Sequence, residues 1–276
     1  MTQPLRQIQE ELYVSYSQIF TYLNCSLKYQ FQYVEQRPAE RMSSALPFGK
    51  TMHSVLENYY RDIREHGHPP QLERLLMLFK EGLSLQVEQS DIPIIFKKEA
   101  PDLASLLEMG HSIIQVFYKN VDLTGFEVVD TELPLSAPLY DEHGQPQDIK
   151  LFGVIDLLLK DSDGRLVVVD NKTSSQKKQQ AAIDEDLQMT SYSYLLACAT
   201  NGYVFPRAEV TCRFDVLRKL KTPTMEFYTT IRTAEHRKRF AKLASRVLKG
   251  IENRIFCPSS GWLCSDCQFS EACKRW

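Results

Sequence analysis

The stretch LFGVIDLLLKDSDGRLVVVDNKTSS, residues 151–175, restricts the fold more than any other part of the chain. Two runs rich in Val, Leu and Ile flank Asp161-Ser162-Asp163-Gly164, a strong reverse-turn sequence. The segment therefore predicts a β-hairpin with both arms entering an apolar core. Side chains two apart on a strand share a face, so Asp170 and Lys172 project together. Asp156 lies as far before the turn as Asp170 lies after it, to within about one residue, and a tight hairpin brings such positions to Cβ separations of roughly 5 Å. Two carboxylates that close repel each other, and something positive has to balance them.

Lys172 and a divalent cation would do so. Carboxylate oxygens suit Mg2+ or Mn2+. An ion held there would polarise a phosphoryl oxygen and acidify a bound water, while Lys172 would orient that water or stabilise the developing charge. This is chemistry suited to phosphodiester hydrolysis. An Asp-X-Lys by itself is an ordinary strand end. The Leu166-Val167-Val168-Val169 run before it gives it weight, because so apolar a strand should bury its end.

The remaining pattern divides the chain in two. Apolar residues recur every three or four positions over 15–36, with Ser15 or Ser17 as N-cap, and over about 49–65, 71–87 and 102–120. The second helix should stop at His66-Gly67-His68-Pro69-Pro70. Beyond 120 the period shortens. Strands are expected at 126–135, 149–160 and 165–171, a helix at about 184–200, strands at about 208–216 and 224–231, and a basic helix at about 233–251. No repeat interrupts this order. It reads as one α/β domain over 1–276, with a helical insertion at about 57–122.

With 276 residues, 43% of them hydrophobic, the chain can bury a sizeable core. A net charge of −2 exerts no general pull on nucleic acid, so any DNA contact must come from local patches. Lys177-Lys178, Arg218-Lys219-Leu220-Lys221 and Arg237-Lys238-Arg239 are the candidates, though each alone reads as a solvated face. No apolar run approaches the roughly 20 residues that span a bilayer. The start, MTQPLRQIQEEL, lacks the basic and apolar regions of a secretory signal, so a cytoplasmic protein with no membrane partner is expected. No G-x-x-x-x-G-K-[ST] loop of a helicase motor occurs.

Of seven cysteines, four (Cys257, Cys264, Cys267 and Cys273) crowd into the last twenty residues. Cys264, Cys267 and Cys273 form C-x2-C-x5-C, which presents three thiolates to one centre. A tetrahedral zinc or a cubane cluster needs a fourth, for which the residues offer either Cys257 or the distant Cys25.

The hairpin resembles the core of the PD-(D/E)XK nucleases, in particular their RecB-like branch, where G-x-I-D precedes the turn and D-x-K-T follows it. Those residues here are Gly153-Val154-Ile155-Asp156 and Asp170-Asn171-Lys172-Thr173. Phe48-Gly49-Lys50-Thr51-Met52-His53 is similar to the family's F-G-x-x-x-H segment. Glu132 resembles its acidic residue on the preceding strand, with Glu127 and Asp130 as alternatives, and Gln188 with Tyr192 looks like its Q-x-x-x-Y. The resemblance implies a restriction-endonuclease-like mixed central sheet flanked by helices. It also implies that His53, Asp156, Asp170 and the Asn171 carbonyl hold Mg2+ or Mn2+, that Asp156, Asp170 and Lys172 are catalytic, and that Gln188 and Tyr192 contact the DNA strand. The Tyr16 to Cys25 segment is similar to that of the iron–sulfur members (AddB-type subunits and CRISPR-associated adaptation nucleases). There one cysteine precedes the core and three follow it, which makes Cys25 the partner of Cys264, Cys267 and Cys273 on a [4Fe-4S] cluster, with zinc as the alternative. Such a cluster would tie the chain ends together. The resemblance points to an exonuclease on DNA, single-stranded or with free ends, in repair, recombination or CRISPR adaptation, alongside a helicase or an adaptation partner. A non-catalytic DNA-binding module of the same fold is the alternative. Such modules usually lack the lysine or an aspartate, and this chain has both.

Overall fold

In the computed structural model, which describes residues 13–276 other than Glu142 and 203–207, the chain enters as strand β1 (Tyr13–Ser15) and helix α1 (Tyr16–Asn24). The first twelve residues, read above as lacking a signal, lie outside that description. Ser15 caps α1 by accepting the Gln18 N–H. One continuous helix over 15–36 is not what forms. The chain turns extended at Cys25 (φ −161°, ψ 103°) and restarts as α2 (Ser26–Tyr29) and a π-turn (Gln30–Val34). The Cys25 thiol caps α2 by accepting the Lys28 N–H, and the Ser26 hydroxyl is tied to Cys257, so long-range contacts override the local helical period.

A short strand β2 (Met42–Ser43) leads to α3 (Ala45–His66), α4 (Leu72–Glu88), β3 (Ile94–Ile95) and α5 (Leu103–Asn120). Helix α3 ends at Gly67, whose φ of 78° suits a residue without Cβ. Then come β4 (Phe126–Tyr140), β5 (Pro146–Asp161), β6 (Leu166–Ser174), α6 (Gln180–Asp184), α7 (Leu187–Asn201), β7 (Val210–Arg218), β8 (Thr224–Arg232), α8 (Ala234–Glu252) and α9 (Ser270–Lys274). The β5–β6 turn forms as its sequence predicts: Gly164 has φ 78°, and the Asp161 carboxylate accepts the Asp163 and Arg165 N–H groups.

The sheet is mixed. β4 runs antiparallel along one edge of β5, and the other edge carries first β1, parallel, and then β6, antiparallel. β6 pairs in parallel with β7, and β7 antiparallel with β8. Helices α3, α4 and α5 cover one face, where Phe79, Ile113 and Phe117 share a core with Leu157, Leu159, Val167 and Val169. The expected insertion boundary at about 57 therefore falls inside α3, and α4 and α5 supply the core beneath the sheet. On the other face, α1, α7 and α8 enclose Ile19, Tyr194, Leu195, Phe240 and Leu151. This α/β architecture, a mixed central sheet flanked by helices, is the expected fold class. Among the described residues no helix is long and apolar enough to cross a membrane.

The α4–α5 contact has a sharp requirement. A Cβ added to Gly110 would stand 2.0 Å from Cε1 of fully buried Phe79. Gly110→Ala should therefore destabilise the fold by about 1–3 kcal/mol in urea denaturation, despite the gain of about 1 kcal/mol in helix propensity. Adding Phe79→Leu should recover part of that loss.

Candidate active site

The edge of β5 that carries β1 and β6 is left open between them. β1 pairs as far as Phe152, and β6 pairs from Leu157 onward. Asp156 lies at the end of that gap. Asp170 is the residue after the last β5–β6 pair, Leu157–Val169, and from there β6 follows β7 alone. The turn arithmetic brings the two carboxylates to matching positions, but the arms of the hairpin part just there instead of pairing. Gly153 lets α7 approach: a Cβ there would meet Leu195 Cδ1 at 2.8 Å and Tyr192 Cε1 at 3.7 Å.

Asp156 links three elements. Its Oδ2 accepts the Asn171 N–H at 2.9 Å across the parting strands and lies 3.2 Å from His53 Nδ1 on α3. Glu132 completes this corner. It sits in β4 between the pairs Thr131–Leu157 and Leu133–Ile155, hence opposite Asp156, with φ 47°. A non-glycine residue held there costs about 1–3 kcal/mol, a strain that recurs at functional sites. Ligand atoms of His53, Glu132 and Asp156 all lie within 4.8 Å of one another. The alternatives to Glu132 are engaged elsewhere, Glu127 with Lys160 at 2.5 Å and Asp130 with Arg64.

Asp170 is fully buried and occupies a second corner. Its Oδ1 accepts from Lys172 Nζ at 3.1 Å and from Gln188 Nε2 at 2.9 Å, and Gln188 Oε1 accepts from the same ammonium at 2.9 Å. Its Oδ2 lies 2.9 Å from Lys172 Nζ as an ion pair, yet among the described residues this buried oxygen accepts no hydrogen bond. Asp170 is accordingly not one of the three residues that converge on a common point. Tyr192, expected at the DNA, is only 6% exposed, and its hydroxyl accepts from Gln188 Nε2 at 2.9 Å. It positions Gln188 rather than facing solvent.

Two further residues belong here that local pattern could not single out. Arg232, fully buried on β8, donates to the Ile183 and Asp186 carbonyls and to the Thr190 and Thr230 hydroxyls, and so anchors the start of α7 where Gln188 emerges. Tyr16 on α1 is near enough for Asp170 and Asp186 to raise its phenol pKa, after burial itself.

The electrostatics are those of crowded acids. Burial first, then Asp156, pushes Glu132 up to about 7 from 4.5. Burial first, against the lowering effect of Lys172, pushes Asp170 up to about 7 from 3.8. Burial works against the charged form of His53, yet its bond to Asp156 leaves it above its ordinary value. Lys172 likewise ends above its ordinary value, because Asp170 and Asp156 outweigh its burial. An imidazole, two adjoining carboxylates and an unbonded buried carboxylate oxygen suit a hard divalent cation.

The cysteines gather at the opposite ends of the chain. Burial raises the Cys273 thiol, followed by the influence of Cys25, Cys267 and Cys264. Cys25, Cys267 and Cys273 flank a small core of Leu27, Phe31, Phe269 and Ala272. Cys257 is exposed and tied to Ser26, whose hydroxyl accepts its N–H at 2.9 Å and donates to its carbonyl at 3.2 Å, and that carbonyl lies 4.0 Å from the Cys25 thiol. Among the described residues, however, no three of these sulfurs converge within 4.8 Å of one another as the ligand atoms of His53, Glu132 and Asp156 do.

The acid crowding has a signed consequence. Without metal, folded Glu132 and Asp170 hold protons that the unfolded chain has already released, so stability falls as pH rises from about 4 through about 7. Melting curves of metal-free protein should show that decline, and Mn2+ at pH 8 should reverse it. Glu132→Gln should melt above the metal-free wild type at pH 8 and lose most of the Mn2+ response.

No curated protein matches the chain. A crystal structure from Eubacterium rectale, provisionally described as an exonuclease, is similar over 100% of this chain and 92% of that one, with a TM-score of 0.57 and 14% identity. The structure of SSO0001 covers 90% of this chain and 94% of that one at 14% identity, with a TM-score of 0.38, too low to bear on the fold. The model of the PD-(D/E)XK nuclease superfamily matches residues 13–274, and the chain therefore belongs to that superfamily.

Proposed function

We propose that the protein is a Mg2+- or Mn2+-dependent deoxyribonuclease of the RecB-like branch, acting on DNA with free ends as an exonuclease. One observation carries this reading: the parting of β5 and β6 sets the His53, Glu132 and Asp156 trio beside the linked Asp170, Lys172 and Gln188. A cation bound by His53, Glu132 and Asp156, with Asp170 Oδ2 and the Asn171 carbonyl as further donors, would supply Lewis acidity at a phosphoryl oxygen and at a water.

The chain's own groups do the rest. Lys172 is held cationic by Asp170 and Asp156, and its ammonium is aimed by Asp170 and the Gln188 amide oxygen. It is placed to orient the attacking water and to stabilise charge on the phosphorane-like transition state. Gln188 cannot rotate freely, because Tyr192 and Asp170 both bond its Nε2. Arg232 fixes the α7 start that carries it. The substrate setting that follows is the processing of DNA ends in repair, recombination or CRISPR adaptation, with any motor supplied by a partner.

Cys25, Cys264, Cys267 and Cys273 form the proposed [4Fe-4S] ligand set, supported by their C-x2-C-x5-C spacing and by the influence of Cys25, Cys267 and Cys264 on the Cys273 thiol. Its role here is structural, tying α2 to the C-terminal segment. Anaerobically purified protein should show broad visible absorption and bound iron. Cys25→Ser should lose both and unfold at lower temperature, whereas Cys257→Ser should keep them. Zinc in place of iron would overturn the cluster.

The activity is tested with end-labelled single- and double-stranded DNA and Mn2+ or Mg2+. Lys172→Ala should reduce cleavage at least about 100-fold while its Mn2+ thermal shift persists. Wild-type protein that cuts neither substrate, or a variant that cuts as well as wild type, would sink the catalytic assignment in favour of a DNA-binding module.

A further inference from the structure

The parallel pairing of β6 with β7 brings together two basic segments about forty residues apart in sequence. Lys172 stands opposite Val216 and Ser174 opposite Arg218, so Lys177-Lys178 and Lys219-Leu220-Lys221 emerge side by side at the end of the sheet just beyond Lys172. The Lys219 N–H donates to the Ser174 carbonyl at 2.8 Å. The third basic segment goes elsewhere: Arg237 is buried against Ser193 and Ala208, Lys238 pairs with Glu235, and Arg239 with Glu185.

Within the united patch, some charges are already answered. Arg218 pairs with Glu226 at 2.9 Å, and Lys177 also acts on Glu226. Lys219 is different. Its side chain folds under the start of α3, with Nζ 5.4 Å from the centroid of the Phe48 ring. Among the described residues no carboxylate lies within ion-pairing range of it, and the charged neighbour that acts on it is another cation, Lys97. Burial first, then Lys97, holds its pKa below the ordinary value. Lys97 has its own partner in exposed Asp266, at 3.1 Å.

A cation half-removed from water beside a like charge is unfavourable unless an anion completes the arrangement. The Phe48 ring offsets part of that cost, but aromatic packing gives no reason for Lys97 to stand there as well. We propose that Lys219, with Lys97, forms a phosphate subsite that grips a non-scissile phosphate of the DNA strand, so that the strand crosses the first turns of α3 on its way to the crevice. The inference rests on the nuclease reading and adds the strand's path to it.

The test is fluorescence anisotropy with a labelled single-stranded oligonucleotide, Ca2+ in place of Mn2+, across a NaCl series. Lys219→Met keeps the apolar stem over Phe48. It should weaken binding about fivefold or more at low salt and lower the log–log salt slope by about 0.7. With Mn2+, KM should rise while kcat stays within about twofold of wild type. Lys219→Arg should restore both. Lys97→Met, on an exposed side chain, should lower the slope without disturbing the interior, and it decides the matter if Lys219→Met fails to fold. Lys238→Met should change nothing. Wild-type affinity and slope in both Lys219→Met and Lys97→Met, while Lys172→Ala remains inactive, would overturn the subsite and leave the nuclease reading standing. A wild-type protein that neither binds nor cuts DNA would overturn both.

Discussion

Glu132, Asp156 and Asp170 draw three carboxylates into one crevice, and much of the architecture serves to hold them there against their mutual repulsion. Acids removed from water prefer to be neutral, which is why Glu132 and Asp170 are both pushed up to about 7. Among the described residues, Lys172 and His53 are the cations that pair with them. Such an arrangement carries a standing demand for positive charge. The demand is divided between two corners, one built on His53, Glu132 and Asp156 and the other on Asp170, Lys172 and Gln188.

The sheet satisfies the demand by a topological device. Because β1 and β6 share one edge of β5 without meeting, a short length of that strand has no neighbour on that side, and the chemistry occupies the opening. Strained backbone at Glu132 aims one carboxylate inward. The absent side chain at Gly153 allows α7 to close over the opening, and Arg232 pins that helix to the sheet. Residues with no part in the chemistry thus set the distances on which it depends.

The other end of the molecule is held by different means. The C-terminal segment contains little regular structure, and its apolar core is small. It docks through polar contacts. Glu40 accepts the Glu271 and Ala272 N–H groups at the start of α9, Arg41 donates to the Cys267 carbonyl, and Ser26 holds Cys257. Contacts of this kind order a segment but contribute modest net stability. Bonds from four thiolates to one centre would contribute far more, and would couple the integrity of this clasp to that of the chain's first helices.

The sequence alone determined what depends on local geometry. The Asp161 to Gly164 turn specifies a hairpin, the two-residue period places Asp170 and Lys172 on one face, and equal distances from the turn bring Asp156 and Asp170 to the two positions just past the last β5–β6 pair. Amphipathic periods locate α3, α4 and α5, because burying one stripe of a helix leaves its mark at every third or fourth residue. Only the tertiary structure decided the rest. The helix expected over 15–36 breaks at Cys25 because its thiol caps α2 and Ser26 bonds Cys257, a residue more than two hundred positions away. Tyr192 turns inward to Gln188, Asp170 bonds Lys172 and Gln188, and Glu132 adopts a left-handed backbone that no residue pattern announces. Lys219 loses part of its solvent because β7 ends beneath α3. A strand or helix period is written in neighbouring residues, whereas which side chains meet depends on how whole elements pack, and that information is spread over the entire chain.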